Sequence, residues 1–187
     1  FAIAQTIKEL DFISPMRDGV VAVNKNDSWG FINEKGNLII DFRSDLVLTK
    51  NDDGVYPVFK NDRCIITIKK KGISYFGYID KTGNTVIEPK FLNALNFNDN
   101  IALVLNVISQ KRGINDILDK PVVFYKYFEV TIDKEGNIKD YLNPKGTSII
   151  LDKKYLENPP KITSKLISEN LFAVRSGNEK WMIKSIK

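Results

Sequence analysis

One short pattern occurs three times along this chain, and it limits the fold more than any other feature of the sequence. Each occurrence has an aromatic residue, an aliphatic residue, Asn or Asp, two turn residues, Gly and a small polar residue. Asn or Asp suits the start of a tight turn, and Gly accepts the positive φ that lets two strands pair with the native twist. An apolar run follows each occurrence, so the pattern predicts three β-hairpins. The segments are Phe31-Ile32-Asn33-Glu34-Lys35-Gly36-Asn37, Tyr78-Ile79-Asp80-Lys81-Thr82-Gly83-Asn84 and Tyr141-Leu142-Asn143-Pro144-Lys145-Gly146-Thr147.

A second element recurs between the hairpins and occurs four times. It starts with a polar pair whose second member tolerates a left-handed turn, and a mostly apolar strand follows. Four copies indicate one repeat domain over residues 1–187, with four degenerate units at roughly 12–58, 59–94, 95–160 and 161–187. The copies are Asp18-Gly19-Val20-Val21-Ala22-Val23, Asn61-Asp62-Arg63-Cys64-Ile65-Ile66, Asp99-Asn100-Ile101-Ala102-Leu103-Val104 and Glu169-Asn170-Leu171-Phe172-Ala173-Val174.

A third element stands before the hairpin aromatic residue. It is Trp29-Gly30 in the first copy, Phe76-Gly77 in the second and Trp181-Met182 in the fourth, whereas the third copy has Lys139-Asp140 there. With the hairpin pattern that follows, these residues resemble the WG-repeat family of bacterial proteins. The resemblance runs from about Phe12 onward and is strongest in the first two copies. It implies a β-repeat protein that binds other proteins.

The repeats predict an all-β fold: antiparallel β-hairpins in a meander, arranged as a repeat array, with at most one short helix. A closed propeller- or barrel-like arrangement is the alternative, because unequal repeats do not prevent closure. Trp29, Phe76 and Trp181 have two interpretations. They are either the core anchors of their units or an exposed aromatic face for a sugar or peptide. Their recurrence at one place favours core anchors.

Two stretches depart from the repeat. Residues 44–55 carry a turn at Asn51-Asp52-Asp53-Gly54, and residues 108–122 carry a mixed polar and apolar run that favours a short helix or an ordered loop. Function in repeat scaffolds tends to lie on such departures. The second stretch therefore supplies the candidate partner-binding residues, although it is equally suited to covering an open sheet edge. The candidates are Lys111, Arg112, Ile114, Ile117 and Leu118.

Composition limits the chemistry that the chain can perform. It has no His and one Cys, which excludes Ser-His-Asp and Cys-His nucleophile systems and His-ligated or multi-Cys zinc sites. Cys64 lies in an apolar run and is expected to be buried. We therefore expect no catalytic site, no metal and no cofactor. The carboxylates that remain as acid-base candidates are Asp52, Asp53, Asp116, Asp119, Asp133 and Glu135.

Charge and hydropathy bear on partners and location. The net charge is +5, but the lysines are spread along the chain, and the densest cluster is Lys69-Lys70-Lys71. This favours a solvated surface over a nucleic-acid footprint. No apolar run is long enough to span a membrane. The opening Phe1-Ala2-Ile3-Ala4-Gln5 is similar to the end of a cleaved export signal, which slightly favours a periplasmic or cell-surface location over a trimmed cytoplasmic protein.

These observations together favour a non-catalytic protein–protein interaction module or accessory subunit of a bacterial assembly, associated with the envelope if the chain is exported. The alternative is a carbohydrate- or cell-wall-binding or cell-wall-active protein that uses surface aromatic residues and carboxylates. Exposure of the two tryptophans to solvent discriminates between the two, because a sugar platform requires it.

Overall fold

The computed structural model of the chain describes residues 7–115, 120–175 and 180–186, with backbone alone at 111–115 and 120–122. Within these ranges every regular element is a strand. The strands are β1 (Phe12–Ile13), β2 (Val20–Lys25), β3 (Ser28–Asn33), β4 (Leu38–Arg43), β5 (Thr49–Asn51), β6 (Gly54–Tyr56), β7 (Cys64–Lys70), β8 (Ile73–Ile79), β9 (Thr85–Phe91), β10 (Ala102–Asn115), β11 (Lys120–Ile132), β12 (Ile138–Tyr141), β13 (Thr147–Ile149), β14 (Lys165–Ser168), β15 (Leu171–Arg175) and β16 (Trp181–Ser185).

The strands form open antiparallel sheets, which confirms the predicted meander of hairpins. The sheet orders are β1-β2-β3-β4, β7-β8-β9, β10-β11-β12 and β14-β15-β16, with β5-β6 as a separate hairpin and β13 paired to β11. None of the sheets in the described part of the chain closes on itself. The closed alternative is therefore not the arrangement of these residues.

One three-strand unit underlies the four larger sheets. Its first and second strands pair as β2-β3, β7-β8, β10-β11 and β15-β16 in the four units. Its third strand is β4, β9 and β12 in the first, second and third units. The pairing registers align the units residue by residue. The same central pair is Ala22–Phe31, Ile65–Tyr78, Leu103–Thr131 and Ala173–Ile183.

The turn between second and third strands is built in the same way in three units. In the first, Asn33 Oδ1 accepts from the backbone N–H groups of Lys35 and Asn37, both at 3.0 Å, and Gly36 has φ +79°. Asp80 does the same in the second unit. In the third unit the equivalent residue is Asp133, not Asn143, so the alignment on Tyr141–Thr147 was wrong. Asn143-Pro144-Lys145-Gly146 has similar turn chemistry but joins β12 to β13.

The same registers locate the pair of residues that corresponds to Trp29-Gly30 in the third unit. We call this pair the anchor. Trp29 pairs with Asn24 and Phe76 with Thr67, and the residue at that place in the third unit is Glu129, paired with Leu105. The third anchor pair is therefore Glu129-Val130, and its assignment to Lys139-Asp140 was wrong. Trp181 occupies the expected place in the fourth unit.

Gly30 and Gly77 leave room for the third strand, which bulges toward them. A Cβ added to Gly77 would lie 2.3 Å from the carbonyl oxygen of Ile87, and one on Gly30 would lie 2.8 Å from that of Ile40. In both units the third strand shifts register at this point. In the third unit Val130 replaces Gly, and β12 pairs beside it without that shift. Beside Val130 the third strand therefore has no bulge, and its register shifts between Thr131 and Ile132 instead.

The sheets stack so that each core combines one face of one sheet with the opposite face of the next. Alternate residues of the first strand point to opposite cores, as the two-residue period of a strand requires. Both faces of the second and third sheets are therefore covered. The cores bring together Phe31 with Ile66, Tyr78 with Val104, and Leu103 with Val174.

Both departures from the repeat contribute strands. Residues 44–55 contain most of the β5-β6 hairpin, with the predicted turn at 51–54. Residues 108–115 and 120–122 lengthen the β10-β11 hairpin, so the expectation of a short helix or ordered loop there was wrong. A further segment, 143–162, follows β12 and supplies β13, which pairs with the lengthened β11. A fourth core, which includes Leu105 and Leu156, lies beneath these additions.

Candidate binding surface

Three of the five predicted partner-binding residues lie on the outer part of the long hairpin. Lys111, Arg112 and Ile114 belong to β10, and the strand register places Lys111 opposite Val123 and Ile114 opposite Pro121. Ile117 and Leu118 lie outside the described residues. Their assignment to partner binding remains a prediction. Nearer the core, Val123 and Phe124 of β11 are 36% and 49% exposed.

A groove lies at the base of this hairpin, where the third unit meets the second. It has a volume of about 680 Å³. We call it the tyrosine groove, and it is lined by Lys70, Lys71, Gly72, Ile73, Tyr75, Tyr125, Leu151, Asp152 and Lys153. Its lining comes from the β7-β8 turn, from the lengthened β11 and from the segment after β13. Two of its three walls are therefore additions to the repeat.

The β7-β8 turn forms one wall. Lys71 and Gly72 both have positive φ, +52° and +82°, as the two central residues of a type I′ hairpin turn do. A Cβ at Gly72 would lie 3.1 Å from the Lys153 side chain, so the turn packs closely against the segment after β13. The groove therefore joins two units through direct contact.

Two tyrosines and three lysines set the character of the groove. Burial and the neighbouring Tyr125 raise the pKa of Tyr75, which keeps its hydroxyl protonated. The Lys70 ammonium lies 5.8 Å from the centre of the Tyr75 ring. Lys70, Lys71 and Lys153 outnumber the single carboxylate, Asp152. Because that carboxylate accepts the backbone N–H of Lys154, it also serves its own turn. The groove therefore presents aromatic surface with excess positive charge.

The aromatic anchors do not share one environment. Phe76 is 8% exposed and lies in a core, as predicted, and the half-buried Trp29 packs against Phe12 at 5.6 Å between ring centres. Trp181 is 44% exposed, so its assignment as a core anchor was wrong. The Arg175 guanidinium lies 4.3 Å from the centre of its ring. The difference arises because no further sheet of the described chain lies over the fourth one.

Two of the carboxylate candidates, Asp53 and Asp133, serve the fold, whereas Asp52 and Glu135 are exposed. Asp53 accepts from the Tyr56 hydroxyl at 2.7 Å, which lowers the pKa of the carboxyl, and it pairs with Arg17 at 3.0 Å. Asp133 holds a turn, and Asp116 and Asp119 lie outside the described residues. No group of three or more potential metal-binding side chains occurs among the residues described. Cys64 is fully buried, as predicted, and burial raises the pKa of its thiol.

Comparison with known proteins identifies the repeat. Residues 29–64 and 76–106 match the family model described as the WG containing repeat. Both segments are WG repeats. This confirms the resemblance over these two segments, and the family that they match is described by a structural repeat rather than by a reaction. No curated protein and no solved structure matches the chain. Across 7–115, 120–175 and 180–186, no helix that could span a membrane is present.

The WG repeat of the sequence does not coincide with one sheet. The first match begins at Trp29 in β3 and ends at Cys64, where β7 begins. The second begins at Phe76 in β8 and ends within β10. Each WG repeat therefore contains the second and third strands of one sheet and reaches the first strand of the next.

Sequence reasoning missed the tyrosine groove. The Lys69-Lys70-Lys71 cluster was visible but was interpreted as solvated surface. Tyr125 and Lys153 come from elements far along the chain, and only the folding of β11 and of the segment after β13 brings them to this turn. The cluster next to a tyrosine was the one local signal available.

Proposed function

We propose that this WG-repeat protein is a non-catalytic protein-binding module, and that the tyrosine groove receives an acidic segment of its partner. The observation that carries the proposal is the placement of Lys70, Lys71 and Lys153 around Tyr75 and Tyr125 in one open groove. Tyrosine supplies rigid contact area with a polar end, and excess positive charge steers an acidic partner. Both properties suit a protein partner that presents Asp or Glu.

The position of the groove supports the same proposal. Its walls include the two segments that the regular unit lacks, and binding residues in repeat scaffolds concentrate on such additions. The long β10-β11 hairpin leaves the scaffold beside it, with Val123 and Phe124 exposed at its base. An accessory subunit would use the groove and the hairpin together as one surface.

Binding of a labelled ten-residue polyglutamate peptide, measured by fluorescence anisotropy, tests the charge of the groove. We expect the double variant Lys70→Glu/Lys153→Glu to weaken binding at least tenfold. Lys35→Glu and Lys60→Glu, which change exposed lysines elsewhere on the chain, form the matched control and should have little effect. Equal losses in both double variants would contradict the proposal.

The partner itself is sought by photo-crosslinking in extracts of the source cell. A photoreactive phenylalanine at Tyr125 should crosslink to a protein, whereas the same residue at the exposed Tyr155, outside the groove lining, should not. A crosslink from Tyr125 to nucleic acid would instead assign the groove to a different ligand. Fractionation of the source cell tests the accompanying proposal that the protein is exported.

One observation favours the carbohydrate alternative. Trp181 is exposed, as a sugar platform requires, although Arg175 lies against its ring. A titration with soluble cell-wall oligosaccharides, followed by the fluorescence of Trp181 in a Trp29→Phe background, tests this alternative. A saturable change would support sugar binding at the fourth sheet, and an unchanged spectrum would remove it.

A further inference from the structure

The first two junctions, where one unit meets the next, are each spanned by a pair of aromatic rings. One ring belongs to the central residue of a second strand, and the other to the residue just before the turn into the next first strand. The pairs are Phe31 with Phe59 and Tyr78 with Phe97, at 4.8 and 4.9 Å between ring centres. All four side chains are buried. An aromatic ring at this place is therefore part of the core of both junctions.

The third junction, between the third and fourth units, has neither ring. The turn in the fourth unit closes between Ser168 and Leu171, as the turn at Asn98–Ile101 does in the third. The residue just before it is Ile167, which is 51% exposed. At the central position of the second strand stands Thr131, whose buried hydroxyl has no partner among the described residues. Neither side of this junction therefore supplies the aromatic group that fills the other two.

A pocket of about 290 Å³ lies at this place. Its apolar lining includes Leu103 from the third unit and Leu166 and Phe172 from β14 and β15 of the fourth. Leu103 is the cross-strand partner of Thr131, and Leu166 directly precedes Ile167. We call it the junction pocket, and it lies beside the two positions that carry the rings elsewhere.

The size and the polarity of the junction pocket limit its occupant. Small-molecule sites have volumes of about 300–1,000 Å³, so a pocket of about 290 Å³ suits a ligand with a single ring. Ser164 also lines the pocket and is 3% exposed, and within the described part of the chain its hydroxyl has no partner. A buried hydroxyl without a partner costs free energy, which a hydrogen bond to a ligand would offset.

From these observations we infer that the junction pocket binds a small molecule with one aromatic ring and one hydroxyl, of the phenol class. The ring takes the place that Phe59 and Phe97 fill at the other junctions, and the hydroxyl pairs with that of Ser164. Because the ligand contacts both units, its binding also stabilises the third junction. This site is separate from the tyrosine groove and does not depend on the function proposed there.

Phenol is the probe, and its binding is followed in the amide NMR spectrum of the intact protein. We expect saturable shifts at the amides of Leu103, Leu166 and Phe172. Cyclohexanol, which has a hydroxyl but no aromatic ring, and fluorobenzene, which has a ring but no hydroxyl, should both bind more weakly. The inference is overturned if phenol causes no saturable shift at these three amides, or if either of the other compounds binds as tightly as phenol.

Two variants and a matched control locate the site. Ser164→Ala removes the hydroxyl and should weaken phenol binding roughly two- to tenfold, with fluorobenzene binding unchanged. Leu166→Trp places a ring in the pocket and should remove the binding of both compounds. Thr67→Val, which removes a buried unpartnered hydroxyl outside the pocket lining, should change neither. Equal effects of Ser164→Ala and Thr67→Val, or undiminished phenol binding by a folded Leu166→Trp variant, would contradict the assignment.

Discussion

The second and third units join their sheets to the next unit at the same positions, but with opposite chemistry. In the second, Phe76 and Tyr78 are apolar or aromatic and lie in a core with the third sheet. In the third, Glu129 and Thr131 occupy these places. Both Glu129 oxygens are used, because Oε1 accepts from the N–H and hydroxyl of Thr163 and Oε2 from the N–H of Ser164, at 2.8–2.9 Å. Both junctions have an apolar core, but the anchor residue packs at the second junction and accepts hydrogen bonds at the third.

This difference shows that the anchor position is defined by its contact with the following unit rather than by its residue type. Phe76 and Glu129 both face the following unit and contact it. A buried carboxylate can do this because three donors satisfy it, which a buried charge requires. The substitutions that follow test this distinction, beginning with the largest expected effect.

The largest loss of stability is expected from truncation of Tyr78 at the second junction. Tyr78 is fully buried, lies 4.9 Å from Phe97 between ring centres and donates its hydroxyl to the Leu95 carbonyl. We expect Tyr78→Ala to lower the free energy of unfolding by about 3–5 kcal/mol. Urea unfolding measures it. Thr131→Val is the matched control: the Thr131 hydroxyl is buried without a partner, so its removal should be neutral or stabilising. A loss similar to that of Tyr78→Ala would contradict the comparison.

The second-largest effect is expected from removal of the Glu129 carboxylate at the third junction. Glu129→Ala leaves the N–H groups of Thr163 and Ser164 without their acceptor, at an expected cost of about 2–3 kcal/mol. Hydrogen exchange of these two amides should accelerate more than global unfolding explains. If Glu129→Phe, which imitates the second unit, were as stable as the original, hydrogen bonding would not be the requirement here.

The anchor glycines should differ from each other. A methyl group at Gly77 meets the backbone of Ile87 and Pro89 at 2.3 and 2.6 Å, whereas at Gly30 its closest contact is 2.8 Å. We expect Gly77→Ala to cost about 1–3 kcal/mol and Gly30→Ala to cost less, as thermal unfolding would show. Equal costs would mean that the bulged strand beside Gly77 can move enough to accommodate the methyl group.

The smallest effect concerns acid stability. The Thr82 hydroxyl and the turn amides lower the pKa of Asp80, so this carboxylate stabilises the fold above its ordinary pKa near 4 and loses that contribution as pH falls further. Asp80→Asn keeps the turn, because Asn33 holds the same turn in the first unit. The melting temperature of the variant should fall less than that of the original between pH 6 and pH 3. An identical fall would exclude Asp80 as a contributor.

The two units also show what sequence can and cannot predict. The hairpin turns at Asn33 and Asp80 follow from local chemistry and were predicted correctly. The third turn was misplaced because Asn143 and Gly146 satisfy the same local rule, while the true turn at Asp133 follows Thr131 instead of an aromatic residue. Glu129 was invisible as an anchor because only its pairing with Leu105 and its contacts with Thr163 and Ser164 reveal its place.

The exposure of Trp181 and the tyrosine groove were beyond sequence reasoning for a different reason. Burial at the anchor depends on whether another sheet lies beyond it, which no pattern around Trp181 records. The groove depends on how the lengthened β11 and the segment after β13 fold back on the β7-β8 turn. Local periodicity could not show that residues 108–115 and 120–122 continue two strands, because Gly113 and the charges around it interrupt the apolar pattern.

The offset between WG repeat and sheet affects how such an array can change in evolution. Because the repeat from Trp29 to Cys64 spans parts of two sheets, a tandem duplication of that length inserts no self-contained piece. The inserted copy separates the first and second strands of one sheet. Each of these strands then pairs with the matching strand of the inserted copy. Gain or loss of a copy thus lengthens or shortens the array in whole steps and leaves both flanking sheets complete.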